Sequence, residues 1–193
     1  PLSDALHAGP IPPPETARLL EQILDALLAC HEAGVIHCDL KPGNLLVACD
    51  GDVHIADFGI AHALANASGE SAVTTATGPL WSTPAYTAPE WWEGGKPSIE
   101  WDMYALGIVA YECLAGRHPF PNDTPAVLMA SALRGRSAPL RSLLPDLSPQ
   151  FEQLVALYKR SRPFMSEDTA RGHHSKSEAA LSPKRPGQTG PKV

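Results

Sequence analysis

The amino-acid sequence predicts an α+β fold that is mainly α-helical, with short β-hairpins beside a polar loop. Apolar residues recur at helical spacing after residue 14 and again after residue 98, and these two runs predict helices. A third observation predicts the hairpins, since short apolar runs flank the polar segment 37–44 and precede and follow an Asp50-Gly51 turn signal. With 193 residues, of which 44% are hydrophobic and 19% charged, the chain has the composition of one globular domain.

The first elements are a proline-rich connector and a long helix. Residues 1–14 hold five prolines and predict a connector, within which residues 2–6 form a short helix. Pro14 suits the first turn of a helix, where its missing N–H has no partner to lose. The helix runs to about Glu32 with Gly34 as its terminator. One apolar face follows the helical spacing: Leu20, Ile23, Leu24, Leu27 and Leu28.

Three short apolar runs predict strands around the polar loop. Residues 35–36 and 45–47 flank the loop, and residues 53–55 return after the Asp50-Gly51 turn. The next segment, residues 60–85, is rich in Ala, Ser, Thr and Gly without a clear period and predicts a mobile loop.

The second half of the chain is predicted to be helical. From about Ser98 to Gly116 the sequence is apolar on nearly all sides, which indicates a buried helix. Two dipeptides in which a capping residue precedes proline predict further helices near 125–134 and 149–160. We therefore expect a connector at 1–14, a globular lobe at 15–170 and a disordered basic tail at 171–193.

Charge and cysteine usage narrow the class of protein. Residues 1–133 carry a balance of −12 and residues 134–193 a balance of +6, for a net charge of −6. The basic part lacks interleaved aromatic residues, so a solvated tail is expected and no nucleic-acid partner. Four cysteines without C-x-x-C spacing indicate reduced thiols and a cytoplasmic protein. Neither a signal peptide nor an apolar run long enough to span a membrane is recognisable.

The polar segment 37–44 carries the strongest functional signal. It places a carboxylate, an ammonium group and a carboxamide in one short loop and reads His37-Cys38-Asp39-Leu40-Lys41-Pro42-Gly43-Asn44. Asp or Asn alone would be read as a turn former. Five fixed positions matching His-x-Asp-x-Lys-Pro-x-Asn, however, arise by chance in well under roughly 1 in 1,000 chains of this length. Two further segments follow, Asp57-Phe58-Gly59 after the hairpin and then Ala88-Pro89-Glu90.

In this order the three segments resemble the catalytic loop, the metal-binding loop and the activation-segment anchor of a protein kinase. The chain is similar to the large C-terminal lobe of bacterial Ser/Thr kinases of the eukaryotic (Hanks) type, with the small N-terminal lobe missing. The resemblance runs from about Leu2 to Arg162, and Lys41 is typical of the Ser/Thr class. Small-molecule phosphotransferases share part of the pattern but normally lack Lys41-Pro42 and the later anchor.

The resemblance implies transfer of the ATP γ-phosphate to protein Ser or Thr hydroxyls, with Mg²⁺. Asp39 would accept the hydroxyl proton, and Lys41 would place its ammonium on the transferring phosphoryl group. Asn44 and Asp57 would supply oxygen ligands to Mg²⁺. Thr83 would bond the catalytic Asp and Lys beside the substrate.

Other residues are expected to support the site rather than to react. His37 resembles part of an internal apolar spine, with Phe58 as its neighbour and Gly59 completing the metal-binding tripeptide. Asp102 matches the buried Asp that holds the catalytic loop by its backbone. Glu90 is expected to pair with Arg162. The candidate phosphorylation sites in the loop are Thr74, Thr75 and Thr77.

The sequence also departs from the kinase pattern. The Gly-rich phosphate loop, the strand lysine and its Glu partner have no counterpart before His37. Cys38 stands where kinases usually have an Arg that captures a phosphate on the activation segment, so phosphate-dependent ordering should be weaker. Ser82 replaces the Gly expected before Thr83. The stretch from Tyr158 to Pro163 is shorter than the pattern.

Two functional hypotheses follow from these residues. The first is a protein Ser/Thr kinase that is represented by a fragment, whose partners are protein substrates, ATP and the missing small lobe. The isolated chain would then be inactive. The second is a catalytically inactive kinase-like binding module, a pseudokinase. The retained Asp39, Lys41, Asn44 and Asp57 favour the kinase, and the missing nucleotide clasp favours the binding module.

Overall fold

The computed structural model describes residues 1–58, 84–92, 94–121, 124–135 and 137–158. The chain divides into two units, Pro1–Arg162 and Pro163–Val193, and all described residues belong to the first. Most of the predicted loop and all of the predicted tail lie outside the described residues. So do six residues singled out in the sequence: Gly59, Thr74, Thr75, Thr77, Thr83 and Arg162.

The described residues form six α-helices and one β-hairpin, which confirms the α+β class. The helices are α1 (Leu2–His7), α2 (Pro13–Glu32), α3 (Pro89–Trp92), α4 (Ile99–Ala115), α5 (Pro125–Arg134) and α6 (Pro149–Tyr158). Strands β1 (Leu45–Val47) and β2 (Val53–Ile55) pair antiparallel, and short 3-10 turns lie at Pro42–Asn44, Pro84–Tyr86 and Leu140–Ser142. Among these described helices, none has the length and hydropathy needed to cross a membrane.

Helix α2 has the predicted bounds but a slightly rotated buried face. Its prolines occupy the first turn, and Gly34 follows its end with φ of +75°. The Gly34 and Val35 N–H groups donate to the carbonyls of the last turn at 2.9 Å each, a glycine-dependent helix stop. Leu28, predicted to face the core, is 57% exposed. The buried face instead comprises Thr16, Leu19, Leu20, Ile23 and Leu27.

The β-hairpin forms where the turn signal predicted it. Leu45 pairs with Ile55 and Val47 with Val53. Gly51 takes the turn with φ of +88° and donates its N–H to Ala48 O at 2.9 Å. Gln22 of α2 ties this hairpin to the helix, because its amide donates to Gly51 O at 3.2 Å and accepts from Val53 N–H at 3.0 Å.

The strand predicted at residues 35–36 is absent. The described structure has no strand there, and the N–H groups that follow do not enter a β-ladder. They donate to a carboxylate on α4 instead. A short apolar run predicts a strand only when another strand can pair with it, and here a side chain takes that place.

Helix α4 is buried, as its apolar sequence predicted. Leu106, Ile108, Val109 and Ala110 have no exposed surface. One core cluster packs α2 against one side of α4, and a second forms around its other side. The second cluster consists of Ala88, Trp101, Tyr104, Ile108, Phe120, Leu128 and Ala132. A helix enclosed on both sides supplies a rigid support for the loops that contact it.

The two later helices begin at the predicted caps. Thr124 Oγ1 accepts the Val127 N–H at 3.3 Å, and Ser148 Oγ accepts the Phe151 N–H at 3.1 Å. Helix α5 ends at Arg134, and Gly135 follows it with φ of +61°. The described part of α6 ends at Tyr158, so the end predicted near residue 160 lies outside the described residues.

Candidate active site

The backbone of the polar loop is hydrogen-bonded to helix α4 through one carboxylate, that of Asp102. Asp102, which is 1% exposed, accepts the N–H groups of His37 and Cys38 at 2.9 Å each. Cys38 has φ of +65°, a left-handed conformation that is unfavourable for a residue other than glycine by roughly 1–3 kcal/mol. The two charge-assisted hydrogen bonds offset that strain. Asp102 therefore determines the backbone path that leads into Asp39.

A third donor reaches the same carboxylate from α2. His31 Nε2 lies 2.7 Å from Asp102 Oδ2, and the two side chains are 7% and 0% exposed. Sequence reasoning missed His31, because its spacing on α2 gives no indication of a partner 71 residues away.

His37 is held as a packed structural histidine. Its Nδ1 accepts the Asp39 N–H at 3.2 Å, which assigns the proton to Nε2. Nε2–H then donates to Ala56 O at 2.9 Å. Phe58 stacks at a tilt with a ring-centroid distance of 4.8 Å, so the predicted His37–Phe58 neighbours do meet. The ring thus connects the loop bearing Asp39 with the segment bearing Asp57.

Lys41 and Asn44 both donate to one oxygen of the Asp39 carboxylate. Lys41 Nζ donates to Asp39 Oδ2 at 2.7 Å, and Asn44 Nδ2 donates to the same oxygen at 3.3 Å and to Asp39 O at 2.9 Å. Asn44 is 4% exposed, while the side chains of Asp39 and Lys41 remain 11% and 28% exposed. The Asp39 carboxylate and the Lys41 ammonium group are therefore partly exposed, and the buried Asn44 side chain holds the carboxylate in place.

Asp57 follows the hairpin and is connected to Asn44 through the backbone. The Ala56 N–H donates to Asn44 O at 2.8 Å. Asp57 itself has φ of +62°, and its side chain is exposed. Aspartate tolerates this conformation better than most residues. The left-handed turn at Asp57 redirects the chain directly after the hairpin.

The side-chain oxygens of Asn44 and Asp57 are suitable ligands for an Mg²⁺ ion that also binds phosphate oxygens. Asn44 points its amide nitrogen at Asp39, which leaves Oδ1 on the other side of the carboxamide. No described residue donates a hydrogen bond to that oxygen or to the Asp57 side chain. The described residues contain no cluster of three or more His, Cys, Asp or Glu suited to a metal. A carboxylate and a carboxamide without a full protein cage match a cation that keeps waters and binds phosphates.

Cys38 presents a neutral thiol where a cation would be expected. Burial, and then the charges of Asp102 and Asp39, raise the pKa of this thiol to about 12. The side chain is therefore uncharged at neutral pH, and it is not activated as a nucleophile.

A second polar cluster lies behind the 3-10 turn Pro84–Tyr86 and was not predicted. Tyr86 Oη donates to Glu112 Oε2 of α4 at 2.6 Å. Burial raises the pKa of Glu112, and both burial and the Glu112 charge raise the pKa of Tyr86. His118, just beyond α4, contacts the same turn through Ala85 O at 2.8 Å. These contacts join residues 26 and 33 positions apart, which periodicity does not reveal.

The anchor segment 88–90 packs onto the second core cluster. Ala88 and Pro89 are buried and Glu90 is half-buried at the start of α3. Glu90 lies near Tyr104, whose pKa is raised by burial and then by the Glu90 charge. The pairing of Glu90 with Arg162 and the contact of Thr83 with Asp39 stay predictions, because Thr83 and Arg162 lie outside the described residues.

Known proteins are similar to this sequence over most of its length. The protein kinase domain family matches residues 1–174. Serine/threonine-protein kinase PknL of Mycobacterium tuberculosis is 36% identical over 151 residues, which are 78% of this chain and 37% of PknL. Serine/threonine-protein kinase PknA of the same organism is 37% identical over 177 residues, 90% of this chain and 39% of PknA.

A third relative is the probable serine/threonine-protein kinase pknA2 of Bifidobacterium longum, 35% identical over 142 residues, 74% of this chain and 18% of the relative. The chain thus spans less than two fifths of the length of these curated relatives. The family match covers the polar loop, the hairpin, the anchor segment and helix α4 together. The chain belongs to the protein kinase domain family, and its relatives are bacterial serine/threonine-protein kinases.

Proposed function

We propose that the full-length protein carrying this chain transfers the γ-phosphate of ATP to Ser or Thr hydroxyls of protein substrates. The observation that carries the proposal is the convergence of Lys41 and Asn44 on the Asp39 carboxylate, which remains partly exposed. A carboxylate acting only as a turn former would need neither an ammonium group nor a buried carboxamide aimed at its side chain.

Asp39 would act on the substrate hydroxyl. As the oxygen–phosphorus bond forms and the bond from the γ-phosphorus to the ADP oxygen breaks, the hydroxyl proton passes to the Asp39 carboxylate. The buried backbone contacts of His37 and Cys38 with Asp102 keep the loop from shifting during this step. Positioning of this kind supplies much of the rate enhancement in phosphoryl transfer.

Lys41 would contact the transferring phosphoryl group. Its Nζ is 2.7 Å from Asp39 Oδ2 and the side chain is 28% exposed, so the ammonium lies at the same surface as the acid. A positive charge there stabilises negative charge on the equatorial oxygens in the transition state.

Asn44 Oδ1 and the Asp57 carboxylate would hold Mg²⁺. Bound there, Mg²⁺ neutralises charge on the ATP phosphates. Leu46 follows Asn44 by two residues and is 40% exposed, although its neighbour Leu45 is fully buried. An exposed leucine beside the phosphate site offers an apolar surface on which the flat base of ATP can pack.

The substrate class rests on the relatives and on Lys41. The relatives are serine/threonine-protein kinases by name. We therefore infer Ser and Thr hydroxyls of proteins as acceptors. ATP as donor and the four free cysteines are in keeping with a cytoplasmic kinase domain.

Radiolabelled phosphate transfer tests the proposal on the full-length protein. Wild type, Asp39→Asn and a control, Asp50→Asn in the exposed hairpin turn, are compared with Mg²⁺-ATP and a Ser/Thr peptide library. We expect Asp39→Asn to lose at least about 10²-fold in kcat with nearly unchanged ATP affinity, and Asp50→Asn to behave as wild type. Wild-type turnover in Asp39→Asn would refute the assigned role. Absence of any transfer by the wild type would favour the inactive binding module.

A further inference from the structure

His118 lies at a junction of three segments. It follows helix α4 by three residues and is half-buried. Its Nε2 lies 2.8 Å from Ala85 O, in the 3-10 turn Pro84–Tyr86. Its Nδ1 lies 2.9 Å from Phe120 O and 3.2 Å from Phe120 N. Phe120 is 3% exposed within the second core cluster, so the His118 ring is bonded to a residue that the core holds in place.

The ring donates to Ala85 O in both charge states. In the neutral ring, Nδ1 accepts the Phe120 N–H and the proton lies on Nε2, which donates to Ala85 O. In the imidazolium, Nδ1–H turns to Phe120 O and Nε2–H again donates to Ala85 O. The attachment at Ala85 is therefore independent of the charge on His118.

Two hydrogen bonds attach the turn Pro84–Tyr86 to helix α4 and to the segment directly after it. His118 holds the main chain at Ala85, and Glu112 holds the Tyr86 hydroxyl at 2.6 Å. The Tyr86 ring also meets the His118 ring edge-on, with centroids 5.9 Å apart and planes at 88°. Because the His118 contact is to a main-chain carbonyl, it determines the path of the backbone whichever side chain occupies position 85.

We propose that His118 is a positioning residue for the protein substrate. Ala85 is two residues after Thr83, which is expected to bond Asp39 and Lys41 beside the acceptor hydroxyl. Because Ala85 is adjacent in sequence to this expected acceptor site, holding its carbonyl would limit how far the main chain there, and with it a bound acceptor peptide, can shift. His118 has no contact with Asn44, Asp57 or the hairpin among the described residues, so its effect falls on the protein substrate and not on ATP. The proposal rests on the proposed kinase function.

Three variants of the full-length protein separate this role from packing. His118→Gln places an amide N–H near the position of Nε2. His118→Asn is too short to reach Ala85 O, and His118→Ala removes both ring nitrogens. His7→Ala, at an exposed position of α1, is the matched control. We expect the peptide KM of the Ala and Asn variants to rise roughly five- to tenfold, as for one lost hydrogen bond. The KM for ATP should stay within about twofold, and Gln should restore the peptide KM.

Hydrogen exchange measured on the same proteins tests the His118–Ala85 contact independently of kinase activity. Amides of the segment 85–88 should exchange faster in the Ala and Asn variants than in wild type and Gln, while amides 19–27 of α2 keep their protection. Equal exchange and equal peptide KM in wild type, Ala and Asn would overturn the proposal. Faster exchange throughout α2 as well would also overturn it, since His118 would then be a general stability residue. A wild type without transfer activity would refute the proposed function, whereas exchange at 85–88 would still test the contact.

Discussion

His31 Nε2 lies 2.7 Å from Asp102 Oδ2, and both side chains are almost fully buried. The contact joins the last turn of α2 to the first turn of α4. The same carboxylate holds the backbone of the loop that leads to Asp39. Helix packing and loop geometry are therefore coupled through one side chain.

Asp102→Asn is predicted to destabilise the fold strongly. A carboxylate accepts all three donors with two oxygens, whereas an amide has one oxygen and turns an N–H₂ group toward at least one buried N–H. We expect a loss of roughly 3 kcal/mol in the free energy of unfolding, measured by urea denaturation. Asp25→Asn, exposed on α2, is the control and should change it by less than about 0.5 kcal/mol. Equal midpoints for both variants would contradict the coupling.

Asp57→Ala is predicted to abolish Mg²⁺-dependent nucleotide binding in the full-length protein. The exposed Asp57 carboxylate is the proposed anionic ligand, and its loss would leave only the neutral Asn44 oxygen for the cation. Calorimetric titration with ATP, with and without Mg²⁺, measures the effect. Asp52→Asn in the exposed hairpin turn should bind as wild type. If Asp57→Ala retains the Mg²⁺-dependent gain in affinity, the metal assignment is wrong.

Thiol reactivity is predicted to differ sharply along the chain. Burial is the main cause that raises the pKa of both Cys38 and Cys113 from 9.0 to about 12. Because the thiolate is the reactive form, iodoacetamide at pH 8 should modify the exposed Cys49 long before either of them. Peptide mapping by mass spectrometry gives the order. Modification of Cys38 as fast as Cys49 would show that its environment is misassigned.

The same shifts predict the sign of a pH effect on stability. Below pH 9 these thiols are protonated in both the folded and the unfolded chain, so the stability they contribute is fully present. Between about pH 9 and 12 the unfolded chain loses protons that the folded chain keeps, and stability falls. A Cys38→Ser, Cys113→Ala double variant should lose stability less steeply over that range in urea denaturation.

Kinase activity is predicted to depend weakly on phosphorylation at Thr74, Thr75 and Thr77. A phosphate in that loop needs a cationic partner to become ordered, and Cys38 presents a neutral thiol. In the full-length protein the triple Thr→Ala variant should lose less than roughly tenfold in activity, about 1.4 kcal/mol of barrier. A larger loss in kcat/KM would show that another cation binds the phosphate.

The sequence predicted the elements whose causes are local. The 3.6-residue period, a proline in the first turn and Gly34 beyond the last determine α2 within a residue or two. The Asp50-Gly51 signal determines the hairpin, because only the residues of the turn need a special backbone conformation. Asp39, Lys41 and Asn44 could be recognised for the same reason, since all three lie within six consecutive residues of one loop.

The tertiary structure alone decided the contacts between distant segments. Residues 35–36 are not a strand, although their sequence favours one, because the N–H groups that follow find a buried carboxylate about 65 residues away. Leu28 is exposed because the packing of α2 on α4 selects which part of an apolar face is covered. His31, Glu112 and His118 acquire their roles in the same way. Periodicity records what a residue's near neighbours require, whereas a hydrogen bond across the fold depends on where two separate helices bring their side chains together.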